Sequence, residues 1–287
     1  MDDFTSPKRV LAARGLRPRK RLGQNFLVDT RFAARIAAQL PDEAFVVEIG
    51  GGTGALTEAL AQRARAVDLL EVDRGLASVL RQRFAHLADR VRIVETDALE
   101  DDLGARLASA ARPRVVCGNL PYSITTPLLE RIIATADLWE CAIIMVQREY
   151  ARRMRARPGT ADYSSLSIFV QHFCQVEHLF DAGASGFYPA PAVASSVIKL
   201  TPRPHVDEGL ADPALFAWLV RAAFAQRRKT LLNSVGAQPG APSHAVLSEA
   251  MRRSGAPEGV RGERLAHDDF VMLANALQAQ GFRAPAR

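Results

Sequence analysis

Cysteine is scarce: Cys117, Cys141 and Cys174 are the only three in 287 residues, and they form no CxxC. An odd number of widely spaced thiols excludes a disulfide framework and fits a reducing, cytoplasmic setting. The six histidines make no HExxH and no cluster with cysteine, so no metal is expected. No stretch approaches the roughly 18 apolar residues of a spanning helix. The first residues, MDDFTSPKRVLAARGLRPRKR, lack the apolar core of a secretory signal, and Asp2 and Asp3 do not suit a transit peptide. Internal repeats are absent as well. What is present is a hydrophobic content of 48%, enough for a sizeable core, and a net charge of +6. A basic chain favours an anionic partner, nucleic acid first.

Residues 1–24 read as a basic, poorly ordered arm. DTRFAARIAAQL reads as a helix capped by Asp29 or Thr30. From Phe45 onward strands and helices alternate. FVVEI, AVDLLEV, RVRIVE, RVVCGN and CAIIMVQ are the strands, and ALTEALAQRA, RGLASVLRQRFAHL and TPLLERIIATA the helices. This alternation predicts a parallel sheet covered on both faces. YSSLSIFVQHFCQVEHLF and ASSVIKLTP add a helix and further strands to the same sheet, giving an α/β domain over 25–203. The Pro- and Asp-rich PRPHVDEGLADP reads as a linker. Beyond it ALFAWLVRAAFAQRRKTLLNSV, HAVLSEAMRRSG and DDFVMLANALQAQG are helical by period, so 204–287 is expected to be a smaller all-α domain.

EIGGGTGALTEAL places Gly50, Gly52 and Gly54 between a strand and a helix. Glycines there let the backbone turn tightly and approach a ligand. A plain strand–helix turn is the bland alternative. Glu71 ends the second of these strands, where a carboxylate can accept both ribose hydroxyls of an adenosine. These two features favour a nucleoside cofactor without choosing between NAD and S-adenosylmethionine. Asp97 closes the third strand and Asn119 the fourth, so polar groups at successive strand ends would line one crevice. The step Asn119-Leu120-Pro121-Tyr122 has no evident use in a dehydrogenase. It suits amine methylation. The adenine amino nitrogen is a poor nucleophile because its lone pair is delocalised into the ring. The Asn119 oxygen and the carbonyl of Leu120 or Pro121 could accept its two N–H bonds, with Tyr122 stacked on the base.

The chain resembles the KsgA-type small-subunit (16S) rRNA adenine N6-dimethyltransferases. RKRLGQNFLVD, VVEIGGGTGALTEAL, GNLPYSITTPLL, MVQREYARRM, YSSLSIFVQ, FYPAPAVASSVIKL and FAQRRKTLLNS follow in the family's order through most of the sequence. The family often carries Pro where Gly51 stands. The resemblance implies a Rossmann-like methyltransferase domain and a helical RNA-binding domain. It implies S-adenosyl-L-methionine as cofactor, with Asn25 and Leu27 closing over it, Gly50 and Gly52 approaching its methionine part and Glu71 holding the ribose. Asp97 would meet the cofactor's adenine amino group, and Asn119 would lie between cofactor and target. Phe187 would wall the target pocket opposite Tyr122; a core aromatic is its alternative. The implied substrate is a pair of adjacent adenosines in a hairpin loop near the 3′ end of small-subunit rRNA, each receiving two methyl groups. The implied setting is an immature ribosomal subunit, with the enzyme cytoplasmic and monomeric.

Three basic clusters offer phosphate-facing charge: Arg17 to Arg21, a second with Arg152 and Arg153, and a third with Arg227, Arg228 and Lys229. Solvated helix faces are their alternative. Among rival functions, a large-subunit rRNA methyltransferase fits the long α domain less well. A DNA adenine methyltransferase would usually carry an acid where Asn119 stands. A ribosome-assembly factor with methylation secondary would use the same surface.

Overall fold

The computed structural model describes residues 6–19, 22–204 and 209–285. The chain divides into two compact units, one reaching to Ala151 and resuming over Val176–Pro202, the other made of Arg152–Gln175 and the residues from Arg203 onward. One break falls between Pro202 and Arg203. Residues 152–175 differ from the expectation: they are folded with the helical unit, because Tyr163 and Ile168 are buried in its core.

The first unit carries strands β1 (Phe26–Leu27), β2 (Phe45–Ile49), β3 (Ala66–Glu71), β4 (Val91–Glu95), β5 (Arg114–Asn119), β6 (Cys141–Gln147), β7 (Cys174–Ala182), β8 (Phe187–Tyr188) and β9 (Ser195–Pro202). Seven of them form one sheet in the order β4-β3-β2-β5-β6-β9-β7. The pairs from β4 through β6 are parallel and β9 runs antiparallel to β6. The central strands β2, β5 and β6 are nearly continuous apolar runs because helices cover both faces. The register fixes the site. Ile49 pairs with both Leu70 and Gly118, so the residues that follow, Gly50, Glu71 and Asn119, emerge together at the carboxyl edge. Such an edge, where strands run off to either side of the first, is the place where open α/β sheets bind ligands.

The helices of this unit begin with α1 (Pro7–Ala13), α2 (Thr30–Ala37), α3 (Ala55–Ala61), α4 (Arg74–Arg83), α5 (Leu103–Ala108) and α6 (Thr125–Ile133). Asp29 caps α2 by accepting from the Arg31 amide at 2.9 Å. The arm expected to be poorly ordered contains α1, whose Leu11 is buried with Phe26 and Leu76. Pro7 starts that helix and two adjacent apolar residues, Val10 and Leu11, give it a face to bury. The short helix α5 is an addition to the elements expected from the sequence; Asp102 caps it through the Ala105 amide.

The helical unit follows α7 (Arg148–Met154) with α8 (Ser165–Phe173), α9 (Pro213–Ala225), α10 (Leu231–Gly236), α11 (His244–Ser254) and α12 (His267–Ala279). Leu215, Leu219, Phe270, Leu273 and Leu277 are fully buried at its centre. The single helix expected from Ala214 is broken at 226–230. Thr230 caps α10 through the Asn233 amide, and the Ser234 hydroxyl donates back to the Ala222 carbonyl at 2.7 Å.

Candidate active site

The glycine turn after β2 is held to the next strand by its own backbone. The Gly50 amide donates to the Leu70 carbonyl at 2.9 Å, and the Gly54 amide to the Gly51 carbonyl at 2.9 Å. Gly50 has φ +77° and open space where a Cβ would be, so its conformation, not crowding, demands glycine. Gly52 has φ +57°, and a Cβ there would come within 2.9 Å of the Phe26 ring. At Gly51 the Leu69 side chain occupies the space a Cβ would take, 2.5 Å away.

Glu71 is 5% exposed. One carboxylate oxygen accepts from the Gly52 amide at 3.1 Å and the other from the Asp73 amide at 2.9 Å. Burial pushes its carboxyl up to about 7, against the pull of these amides. Each oxygen retains a further lone pair for an incoming hydroxyl. Asp97 spends one oxygen on the Leu99 amide at 2.9 Å.

Asn119 is the most informative group. Its amide nitrogen donates to the Asn25 carbonyl, 3.0 Å away and 94 positions earlier in the chain. That bond fixes which way the amide points. The oxygen Oδ1 is then buried and has no hydrogen-bond partner. The two backbone acceptors expected beside it are not equivalent. The Pro121 carbonyl already accepts from the Ile124 amide at 3.1 Å and the Thr125 hydroxyl at 3.0 Å. The Leu120 amide bonds to Met145, continuing the ladder, while no described residue donates to the Leu120 carbonyl. Leu120 is therefore the carbonyl left for a ligand.

These groups line one cavity of about 950 Å³, open mouth included. Asn25, Leu27, Gly50, Gly52, Glu71, Asp97, Asn119, Leu120, Pro121 and Tyr122 all border it. The segment Leu22–Leu27 forms one wall and is anchored at its start: Gln24 accepts from the Arg19 amide at 2.8 Å, and Arg19 pairs with Asp73 at 3.2 Å.

Phe187 is not brought to the cavity. It is 4% exposed and packs in the main core with Leu27. The reason is strand alternation in the small β1–β8 ribbon, where Leu27 faces Phe187 and Phe26 faces Tyr188. One pair enters the main core, while Phe26 and Tyr188 belong to the cluster around Leu11.

The basic clusters divide as well. Arg227 is exposed but engaged within its own unit: its guanidinium donates to the carbonyls of Ala161 and Tyr163, both at 3.1 Å, and pairs with Glu263 at 3.3 Å. Arg228 and Lys229 are exposed in the turn before α10. Arg152 is exposed and lies 3.6 Å from Asp162, and Arg153 is half-buried. Of the first cluster, Lys20 and Arg21 lie outside the described residues.

Glu48 is a residue that the sequence motifs do not single out, although FVVEI sets an acid inside an apolar strand. It is fully buried, and neither carboxyl oxygen has a hydrogen-bond partner. Burial pushes it up to about 8, which favours the protonated, neutral form. The facing Thr57 hydroxyl opposes that rise but stands outside hydrogen-bond geometry.

The cavity fits S-adenosylmethionine on the chain's own features. It offers an open glycine cradle, a carboxylate with lone pairs to spare and an orphaned amide oxygen beside a free carbonyl. Comparison with known proteins agrees. A family model described as ribosomal RNA adenine dimethylase matches residues 15–254. Ribosomal RNA small subunit methyltransferase A of Geobacillus thermodenitrificans is 39% identical over 285 residues, covering 96% of this chain and 97% of its own. The protein of the same name from Geobacter metallireducens is 41% identical over 271 residues, covering 93% and 98%. Among solved structures, a dimethyladenosine transferase from Plasmodium falciparum superposes with a TM-score of 0.77 at 26% identity, covering 90% of this chain and 99% of that one. The 23S rRNA methyltransferase ErmE gives 0.65 at 26% identity, covering 88% and 100%. With the family model spanning most of its length and near full-length relatives at this identity, the chain belongs to the ribosomal RNA adenine dimethylases, which take their methyl groups from S-adenosylmethionine.

Proposed function

We propose that this enzyme dimethylates the N6 amino groups of two adjacent adenosines in a hairpin loop near the 3′ end of 16S rRNA, acting on the immature small subunit as a cytoplasmic monomer. The observation that carries the reading is the unpartnered, buried Asn119 oxygen beside the free Leu120 carbonyl. Together they supply two acceptors for the two N–H bonds of one amino group. Accepting both draws the nitrogen towards tetrahedral geometry and frees its lone pair. Tyr122, in the same cavity, stacks on the base. Asn25 closes the site by holding the Asn119 amide, with Leu27 behind it. The glycine turn at Gly50 and Gly52, Glu71 and Asp97 hold the cofactor. S-adenosylmethionine supplies, when bound, an electrophilic methyl on a sulfonium. The protein's contribution is positioning and electrostatics, and the departing proton passes to water without a strong base.

The test is transfer of labelled methyl groups. Immature small subunits are expected to accept two methyls on each target adenosine. Mature subunits, naked large-subunit RNA and DNA are expected to accept few or none. Preferential labelling of large-subunit RNA would move the enzyme towards the ErmE-like branch, and tight binding of immature subunits with no labelling would favour an assembly role.

RNA affinity is assigned to the exposed cations of the helical unit, chiefly Arg228 and Lys229, with exposed Arg152 and half-buried Arg153 on the second cluster. Charge reversal at Arg228 and Lys229 is expected to weaken subunit binding and flatten its salt dependence by roughly one unit of slope for each phosphate no longer neutralised. Cofactor affinity should not change. Reversal at Arg227 differs in kind. It strips the bonds to Ala161 and Tyr163, so a lowered melting temperature should accompany any RNA defect. A salt titration unchanged by the Arg228 and Lys229 reversals would show that this turn is only a solvated surface.

A further inference from the structure

Ser195 is the first residue of β9, and its side chain is fully buried. Its main chain is fixed from two sides. It pairs with Gln147 of β6, and the preceding carbonyl, Ala194, accepts from the Arg148 amide at 2.9 Å. A buried hydroxyl is costly unless bonded. This one is bonded: the Ser195 oxygen lies 2.6 Å from the Tyr122 hydroxyl, across 73 positions of sequence. Tyr122 itself stands on a single 3₁₀ turn, Tyr122–Ile124, at the cavity wall. A half-buried ring on so short a turn is otherwise free to change rotamer. The hydroxyl–hydroxyl bond ties its far end to the rigid sheet.

We infer that Ser195 is a positioning residue for methyl transfer, holding Tyr122 by its hydroxyl so that the ring keeps one face turned to the target base. This rests on the reading that Tyr122 stacks on that base. Without the tether the ring samples other rotamers and must be reordered each time RNA binds. The tether touches neither the glycine turn nor Glu71, so cofactor binding is independent of it.

The experiment is a double-mutant cycle on the whole enzyme with immature subunits. Ser195→Ala is expected to lower kcat/KM for RNA about three- to tenfold, the range for one lost hydrogen bond. Calorimetric affinity for S-adenosylmethionine should not change. Tyr122→Phe removes the other partner without touching the buried strand and should give the same loss. Ser195→Ala in the Tyr122→Phe background should then cost nothing more. Additive losses, or full activity in either single variant, would overturn the inference. Should Ser195→Ala fold poorly, Tyr122→Phe alone still decides, since full activity there means the bond does no work. Tyr122→Ala separates the two readings. It should lose far more than Tyr122→Phe, and if it loses nothing the stacking role itself is wrong.

Discussion

Asn119→Ala is expected to slow single-turnover methyl transfer about a hundred- to a thousandfold while leaving cofactor affinity within about tenfold. The magnitude is that of deleting one preorganised group aimed at the reacting atom. Preorganisation is visible in the ligand-free protein. The Asn25 carbonyl holds Nδ2 at 3.0 Å, and Oδ1 is left buried and unpaired. An unsatisfied buried acceptor costs roughly 1–3 kcal/mol. At Asn119 the fold bears that cost next to the free carbonyl of Leu120, where the target amine is proposed to sit. The same cost gives a control. Alanine removes the orphaned oxygen, so the inactive variant should melt no lower than the parent by more than a few degrees. Asn119→Asp should also be inactive, because it sets a carboxylate oxygen against the Asn25 carbonyl. Single-turnover transfer at the parental rate in Asn119→Ala would refute the mechanism. A large drop in melting temperature would assign the amide a structural role instead.

The sheet edge is legible in the sequence because its signals are local. Glycines at 50, 52 and 54 follow directly on an apolar strand, and Glu71, Asp97 and Asn119 each stand at or just past a strand end. Parallel register then carries all of them to one edge without further information. What does not show depends on phase or on partners distant in sequence. A ribbon of two-residue strands is too short for alternation to reveal which side Phe187 takes. The choice between Leu120 and Pro121 as free carbonyl is settled by Thr125, four positions after Pro121, whose hydroxyl caps one of them. Arg227 looks like its neighbours in QRRKT, yet its partners are Ala161, Tyr163 and Glu263. Residues 152–175 precede β9 in the chain, and that order alone groups them with the sheet, but their apolar side chains complete the helical core. Ser195 and Ser196 are indistinguishable in the sequence, yet in the fold the Ser195 hydroxyl meets Tyr122 and the Ser196 hydroxyl donates to Asp181, both at 2.6 Å.

Glu71→Ala is expected to weaken S-adenosylmethionine binding roughly ten- to hundredfold, the value of a lost charge-assisted hydrogen bond of about 1.5–3 kcal/mol. The charge state supplies a sharper test. Burial and nearby Asp73 hold the Glu71 carboxyl up to about 7 in the ligand-free protein, although the Gly52 and Asp73 amides favour the ionised form. Its folded value exceeds the unfolded one, so the folded state carries the extra proton. Glu71's share of stability is therefore complete below about pH 4.5 and is lost as pH rises through about 7. Ribose hydroxyls donate hydrogen bonds, and a carboxylate accepts them on both oxygens, whereas a carboxylic acid must spend one oxygen as a donor. Cofactor binding consequently favours the ionised form and expels the proton. Affinity should climb between about pH 6 and 7 and level off above, with proton release seen as a buffer-dependent enthalpy in calorimetry. In Glu71→Gln the affinity should be lower and this slope should vanish, because no proton remains to be expelled. An affinity in the parent enzyme that does not vary between pH 6 and 8, together with unchanged affinity in Glu71→Ala, would separate Glu71 from the ribose site. It would leave the carboxyl as a brace between the glycine turn and the start of α4, bonded to the Gly52 and Asp73 amides alone.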